Sequence, residues 1–194
     1  MLLLDLTQHE GPAPPDGSAS PGLRLDLSQI DTEVPDGLVQ LLAPSVILVS
    51  GLEAAADMQR ADVALSVIEA ESGRAVGSTI LIAHCAHPSL FLDPTRFSAL
   101  SRRLGGLVYD EPALARALGL PEADGRGAPA VLQAARARCV LLAADARVPA
   151  YLALPETLDD PSALGRLDAV AKADGFAGLL SAQDAQMAAL RGHA

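Results

Sequence analysis

The sequence predicts an α/β fold built on a mostly parallel sheet, within one domain spanning residues 1–194. Short apolar runs alternate with longer stretches of helical periodicity, which is the pattern of consecutive βα units. The central runs, such as Val46-Ile47-Leu48-Val49, are apolar at every position, as strands covered on both faces usually are. Helical stretches open on Asp160-Pro161 or close at Gly119, the residue types that start and stop helices. A chain of 194 residues can bury a substantial core, and neither an internal repeat nor a domain-splitting linker interrupts it.

Taken in order, Leu2 to Leu6 is a first apolar run. Residues 7–22 are dense in Pro, Gly and Ser and read as an irregular loop, since such residues sustain neither helix nor ladder. Leu23 to Leu27 alternates as a brief strand, and Val46 to Val49 is a β-branched strand turned by Ser50-Gly51. A helix is expected from Glu53 to about Ala70, with Met58, Leu65 and Ile68 on its apolar stripe. Thr79 to Cys85 is the next strand. Asp93-Pro94 then predicts the start of a helix carrying Phe97, Leu100 and Leu104, stopped by Gly105-Gly106 before a strand at Leu107-Val108-Tyr109.

Beyond it the sequence predicts a short helix over Glu111 to Leu118, a polar loop from Pro121 to Pro129, and a long Ala- and Arg-rich helix over Ala130 to Ala146. A strand over Val148 to Leu154, a helix over Ser162 to Ala173, a strand at Gly178 to Leu180 and a last helix over Asp184 to Leu190 complete the pattern.

Composition narrows the function classes. Aromatic residues make up 3% of the chain, Trp is absent and the net charge is −10, so neither base stacking nor attraction to a phosphate backbone is available. No nucleic-acid partner is expected. No run reaches the ~20 apolar residues of a membrane span, and Met1 to Leu6 lacks the basic start of a signal peptide. The expectation is a cytoplasmic protein without membrane contact, its Cys85 and Cys139 reduced and buried.

Three blocks carry a family resemblance. The first is Pro44-Ser45-Val46-Ile47-Leu48-Val49-Ser50-Gly51-Leu52-Glu53. The second joins Leu81 through His87 to Leu107-Val108-Tyr109-Asp110-Glu111-Pro112. The third joins Leu158-Asp159-Asp160-Pro161 to Ala173-Asp174-Gly175-Phe176-Ala177-Gly178 and Ala185-Gln186-Met187. In this order and spacing, over residues 40–190, they resemble the citrate lyase β-subunit / malyl-CoA lyase (HpcH/HpaI aldolase-type) family. The resemblance implies an incomplete TIM-type (β/α)8 barrel of about seven mostly parallel strands. The first βα unit is missing, Met1 to Leu6 corresponds to the family's second strand, and Leu23 to Asp26 to its third. A closed barrel of this kind typically takes about 250 residues.

The resemblance also implies a chemistry. Relatives make or break a carbon–carbon bond in a 2-hydroxy acid or its CoA thioester, with Mg2+ held by carboxylates at the strand ends. The family's metal-binding positions fall on Ala86 and Ala113, which carry no ligand atom, and its fourth-strand lysine falls on Gly51. Its seventh- and eighth-strand functional positions fall on Leu152 and Gln183-Asp184. Arg24 alone matches, as the arginine that contacts substrate oxygen; the alternative reading of Arg24 is an isolated surface cation.

These residues predict no metal and no cofactor, with Mg2+ required only if the family activity is retained. The functional expectation is a degenerate, non-catalytic or altered homologue that binds a small acid, a CoA ester or a partner protein. The alternative is an active Mg2+-dependent lyase whose site another chain completes. An open barrel leaves strand edges to be covered, so a homo- or hetero-oligomer is expected.

Rival sites are weaker. His84, His87 and Asp110 have residue types that can bind Zn2+, but His84 and His87 would leave an extended strand on opposite faces. Cys85 lies within an apolar strand and reads as core rather than nucleophile. Neither Gly105-Gly106 nor Gly125-Arg126-Gly127 has the setting of a phosphate-binding loop, and the helix bearing Arg136 and Arg138 reads as a packed outer helix.

Overall fold

The computed structural model describes residues 3–4, 22–28, 30, 43–92, 97–120, 128–155 and 160–181. Seven strands form one open sheet in chain order: β1 (Leu3–Leu4), β2 (Gly22–Asp26), β3 (Val46–Ser50), β4 (Ile80–Cys85), β5 (Leu104–Tyr109), β6 (Ala150–Ala153) and β7 (Gly178–Leu180). From β2 to β7 every neighbouring pair is parallel. Helices α1 (Asp57–Glu71), α2 (Glu111–Ala117), α3 (Ala130–Ala146) and α4 (Pro161–Ala173) accompany the sheet. The expected α/β fold and order of βα units are what the chain adopts, and the sheet does not close into a barrel among the described residues.

Strand alternation splits the core in two. Ile47, Val49, Leu81, Ala83, Leu107, Tyr109 and Leu152 face the helices and join Met58, Leu65 and Cys139 in the main core. The opposite, concave face carries a smaller cluster of Leu48, Ile82, Val108, Tyr151 and Leu180. Both faces of the central strands are therefore buried, which is why they read as unbroken apolar runs.

Tyr109 anchors the main core at the end of β5. Its ring meets Phe91 edge-on at 6.0 Å and stacks on Phe176 at 6.4 Å, and its hydroxyl donates to the Leu132 carbonyl at 2.9 Å. Arg136 lies over the far ring, 5.4 Å from the Phe176 centroid.

Three expectations change. Leu3–Leu4 pairs antiparallel with β2, so the first run is no counterpart of the family's parallel second strand. The helix expected through Phe97, Leu100 and Leu104 is absent from the described residues: Phe97–Ala99 is a 3-10 turn and Leu104 already begins β5.

Gly105 and Gly106 belong to that strand, where a Cβ on Gly105 would collide with Ile80 and one on Gly106 would lie 3.0 Å from the Tyr151 ring. They mark close approach of neighbouring strands, a role that in sequence looks like a helix stop. The helix expected from Glu53 begins only at Asp57, whose Oδ2 accepts the Glu53 and Ala54 N–H groups at 2.9 Å and holds that stretch as a turn. The start at Asp93-Pro94 and the last helix at 184–190 lie outside the described residues, as does nearly all of the 7–22 loop.

At the N-terminal end of the strands sits a buried ionic network. Glu69, fully buried on α1, accepts from Arg103 Nη1 at 2.7 Å, from the Gly77 and Thr79 N–H groups at 2.7 and 2.8 Å and from the Ser78 hydroxyl at 3.0 Å. Arg103 also pairs through Nε with Asp62 and donates to Ser66 Oγ at 2.7 Å. This network ties α1 to the starts of β4 and β5, at the end opposite the strand C-termini.

Candidate functional site

On the concave face, alternation brings Arg24 and Asp26 of β2, Ser50 of β3 and His84 of β4 inward, with Asp110 directly after β5. The register places Asp26 beside Ser50, and Ser50 is one residue beyond the Val49–Ala83 pair, hence level with His84. The result is a polar belt across four adjacent strands, with Asp26, Ser50 and His84 in one row towards the strand C-termini and Arg24 one row below, beside Leu48 and Ile82. Functional groups of α/β barrels gather at this end of the sheet.

His84, 5% exposed, and Asp110 meet across neighbouring strands, with Nε2 and Oδ2 2.9 Å apart. Burial pushes the Asp110 carboxyl up, but the His84 hydrogen bond, the Ala113 N–H and the charges of His84 and Arg24 outweigh it and hold Asp110 below the ordinary carboxylate range. An ionised carboxylate only accepts, so Nε2 of His84 carries the proton in this pair. The other carboxylate oxygen, Oδ1, accepts the Ala113 N–H at 2.9 Å and caps α2.

Asp26 receives the Ser28 hydroxyl at 2.6 Å and the Ser28 N–H at 3.1 Å. These bonds lead in holding its carboxyl below the ordinary range against the opposing effect of burial, with help from Ser50 and the Arg24 charge. Ser50 donates weakly to the Leu25 carbonyl at 3.3 Å and to Asp26 at 3.4 Å. Arg24 thus acts electrostatically on both carboxylates, and among the described residues it forms no ion pair of its own. Gly51 has φ +74°, and a Cβ there would lie 2.6 Å from Asp26 Oδ2. The Asp26 carboxylate takes the space that a side chain at residue 51 would need.

Beside the belt lies an open cleft of about 520 Å³, lined by Asp26, Ser28, Gly51, Glu53, Asp57 and Arg60 among others. Among the described residues its charged lining is three carboxylates, Asp26, Glu53 and Asp57, and one cation, Arg60, which is paired with Asp57 at 3.0 Å.

The candidates that the sequence singles out separate on this geometry. Arg24 and His84 share the belt. His87 lies beyond β4 and caps the following 3-10 turn, its Nδ1 accepting from Ser89 N at 3.4 Å, so the two histidines do not converge. Among the described residues no three His, Cys, Asp or Glu side chains are placed to hold a metal ion. Mg2+ needs hard oxygen ligands. Ala86 and Ala113 offer none, so among the described residues the positions that the resemblance assigns to the metal do not fit Mg2+.

Cys85 and Cys139 are buried free thiols in hydrogen-bonding contact in the main core. The sequence places Asp110 at a strand end but gives no role to Asp26 or Ser50. Their signal is the alternation Arg24-Leu25-Asp26 and the Ser50-Gly51 turn, both at strand C-termini.

No known family profile matches the sequence, and no curated protein does. Solved structures do match. Over 88% of this chain, a citrate lyase from Burkholderia xenovorans LB400 superposes with a TM-score of 0.71 at 14% identity. This is the citrate lyase fold. RipC from Yersinia pestis shares it with a TM-score of 0.67 at 21% identity over 88% of this chain. The citrate lyase β subunit of M. tuberculosis, solved with oxaloacetate and magnesium, shares it with a TM-score of 0.67 at 16% identity over 88% of this chain. The chain spans 74% of RipC and 71% of the M. tuberculosis subunit, but 56% of the Burkholderia protein. Among the described residues, no helix of this citrate lyase-type barrel is long and apolar enough to cross a membrane.

Proposed function

We propose that this chain is a single-domain member of the citrate lyase β / malyl-CoA lyase family that has lost Mg2+-dependent carbon–carbon chemistry. It retains a binding site for a small carboxylic acid, free or as a CoA ester, with Arg24 holding the carboxylate. The observation that carries this reading is the belt itself. Arg24 lies on the same sheet face as Ser50 and His84, while Ala86 and Ala113 stand where the resemblance puts the metal ligands and Asp110 bonds His84 and caps α2. The citrate lyase β subunit solved with oxaloacetate and magnesium lends the ligand class.

A ligand bound only by the folded state raises the melting temperature. Malate or acetyl-CoA is expected to do so here without Mg2+, and no lyase activity is expected on citrate or malyl-CoA with Mg2+ present. Turnover that requires Mg2+ would overturn the proposal.

The second reading is an active lyase completed by another chain, and the open sheet favours it. Strands β1 and β7 each pair on one side only among the described residues. Either reading calls for these edges to be covered. Light scattering at micromolar concentration is expected to give a dimer or larger assembly, and a monomer would count against this.

A further inference from the structure

The chain has two cysteines, Cys85 and Cys139, far apart in sequence, and the fold brings them together. Cys85 ends β4, and strand alternation puts it with Leu81 and Ala83 on the face that meets the helices. In the sheet register it lies beside Tyr109 of β5, whose hydroxyl donates to the Leu132 carbonyl of α3 at 2.9 Å. Helical spacing carries the buried face of α3 on from Leu132 through Ala135 and Cys139 to Ala143. Cys139 therefore packs under the same pair of strands, and its thiol is in hydrogen-bonding contact with that of Cys85. Both residues are 0% exposed, and both thiols are free.

The geometry points to a buried dithiol that a small-molecule disulfide closes into a β4–α3 cross-link, and only through openings of the core. The contact supplies the pairing: with no third cysteine in the chain, each thiol has one intrachain partner. Burial supplies the gate. The thiolate is the species that attacks a disulfide. The hydrogen bond with Cys85, followed by burial, pushes the Cys139 thiol up. The folded state thus withholds that thiolate as well as shutting out the oxidant.

The chemistry balances with oxidised glutathione as the small disulfide. In an opened chain one cysteine thiolate attacks it, which forms a mixed disulfide and releases one glutathione. The second cysteine thiolate attacks the protein sulfur of that mixed disulfide and releases the other. Two protein thiols are oxidised, and one small disulfide is reduced to two thiols. Once the core recloses, the bond is out of reach of external thiols, and redox history is stored as stability. The cross-link closes a long loop, the case in which constraining the unfolded chain stabilises most. This device is independent of the acid-binding reading.

The test incubates the full chain with oxidised glutathione, in buffer and in urea just below the unfolding midpoint. Each sample is then alkylated under denaturing conditions and weighed by mass spectrometry. In buffer both thiols should still alkylate after hours. In urea the chain should lose two hydrogens and take no alkyl group, and peptide mapping should join Cys85 to Cys139. With urea removed, its melting temperature should stand on the order of 10 °C above that of the reduced chain, and fall back after denaturation with dithiothreitol. Cys139→Ala should give only a mixed disulfide at Cys85, which also shows that oxidant reaches the opened core, and no rise in melting temperature. Two mixed disulfides or two free thiols in wild type after urea would overturn the pairing. Rapid cross-linking in buffer would overturn the gate, and a cross-linked chain that melts no higher than the reduced one would overturn the stored stability.

Discussion

Replacing Arg103 with Met is expected to destabilise the fold by about 3–5 kcal/mol, the usual cost of stranding a buried charge. The expected fall in melting temperature is on the order of 10 °C for a domain of this size. The substitution leaves Glu69 fully buried without its cation, and leaves Asp62 and Ser66 without the guanidinium that joins them. Changing both partners to apolar residues often relieves such a loss, but here it should not. Glu69 also accepts the Gly77 and Thr79 N–H groups, so Glu69→Leu in the Arg103→Met background strands two backbone donors as well.

The same network sets an acid limb. Burial alone would push the Glu69 carboxyl up, yet Arg103, the Gly77 N–H and Thr79 outweigh it and hold it at about 2 against an ordinary 4.5. A carboxyl depressed in the folded state stabilises above its unfolded value and loses that contribution as pH falls through its folded one. Wild-type stability in urea should therefore drop between about pH 4.5 and 2 more steeply than that of Glu69→Gln, which has already lost the ionic contribution. Equal slopes would show that the network does not carry this dependence.

Legibility in the sequence followed locality. Strands β3 and β4 could be read because their β-branched and apolar runs are continuous, and α3 because Ala130–Ala146 is rich in the helix formers Ala and Arg. The Asp160-Pro161 start of α4 was equally plain, since Asp160 accepts the Ser162 N–H at 3.0 Å as an N-cap does. The start of β5 was hidden because Gly105 and Gly106 owe their identity to Ile80 and Tyr151 on neighbouring strands. Nothing in the sequence separates Glu69 and Arg103 from Glu71 and Arg102; only burial does. In the belt, the parity of Arg24 and His84 could be read, whereas the His84–Asp110 bond spans 26 residues and depends on β4 and β5 being neighbours.

That dependence makes Tyr109 the next residue to change. Tyr109→Ala is expected to cost about 3–5 kcal/mol, the range for removing a large aromatic side chain from a packed core. It deletes the contacts to Phe91 and Phe176 and the bond to the Leu132 carbonyl together. Tyr109→Phe keeps both ring contacts and loses one hydrogen bond, so about 1 kcal/mol is expected. The functional consequence comes from adjacency. Tyr109 faces the helices, and the next residue, Asp110, turns to the concave side, so the ring that pins β5 to the main core also fixes where the Asp110 carboxylate meets His84. In Tyr109→Phe the His84 ring signals in an NMR spectrum at one fixed pH should match those of the wild type. In a folded fraction of Tyr109→Ala they should shift toward those of Asp110→Asn, because the carboxylate is no longer held at hydrogen-bonding distance. Unchanged His84 signals in Tyr109→Ala would mean that the Ala113 N–H, through the cap on α2, is enough to place Asp110 without the core behind it.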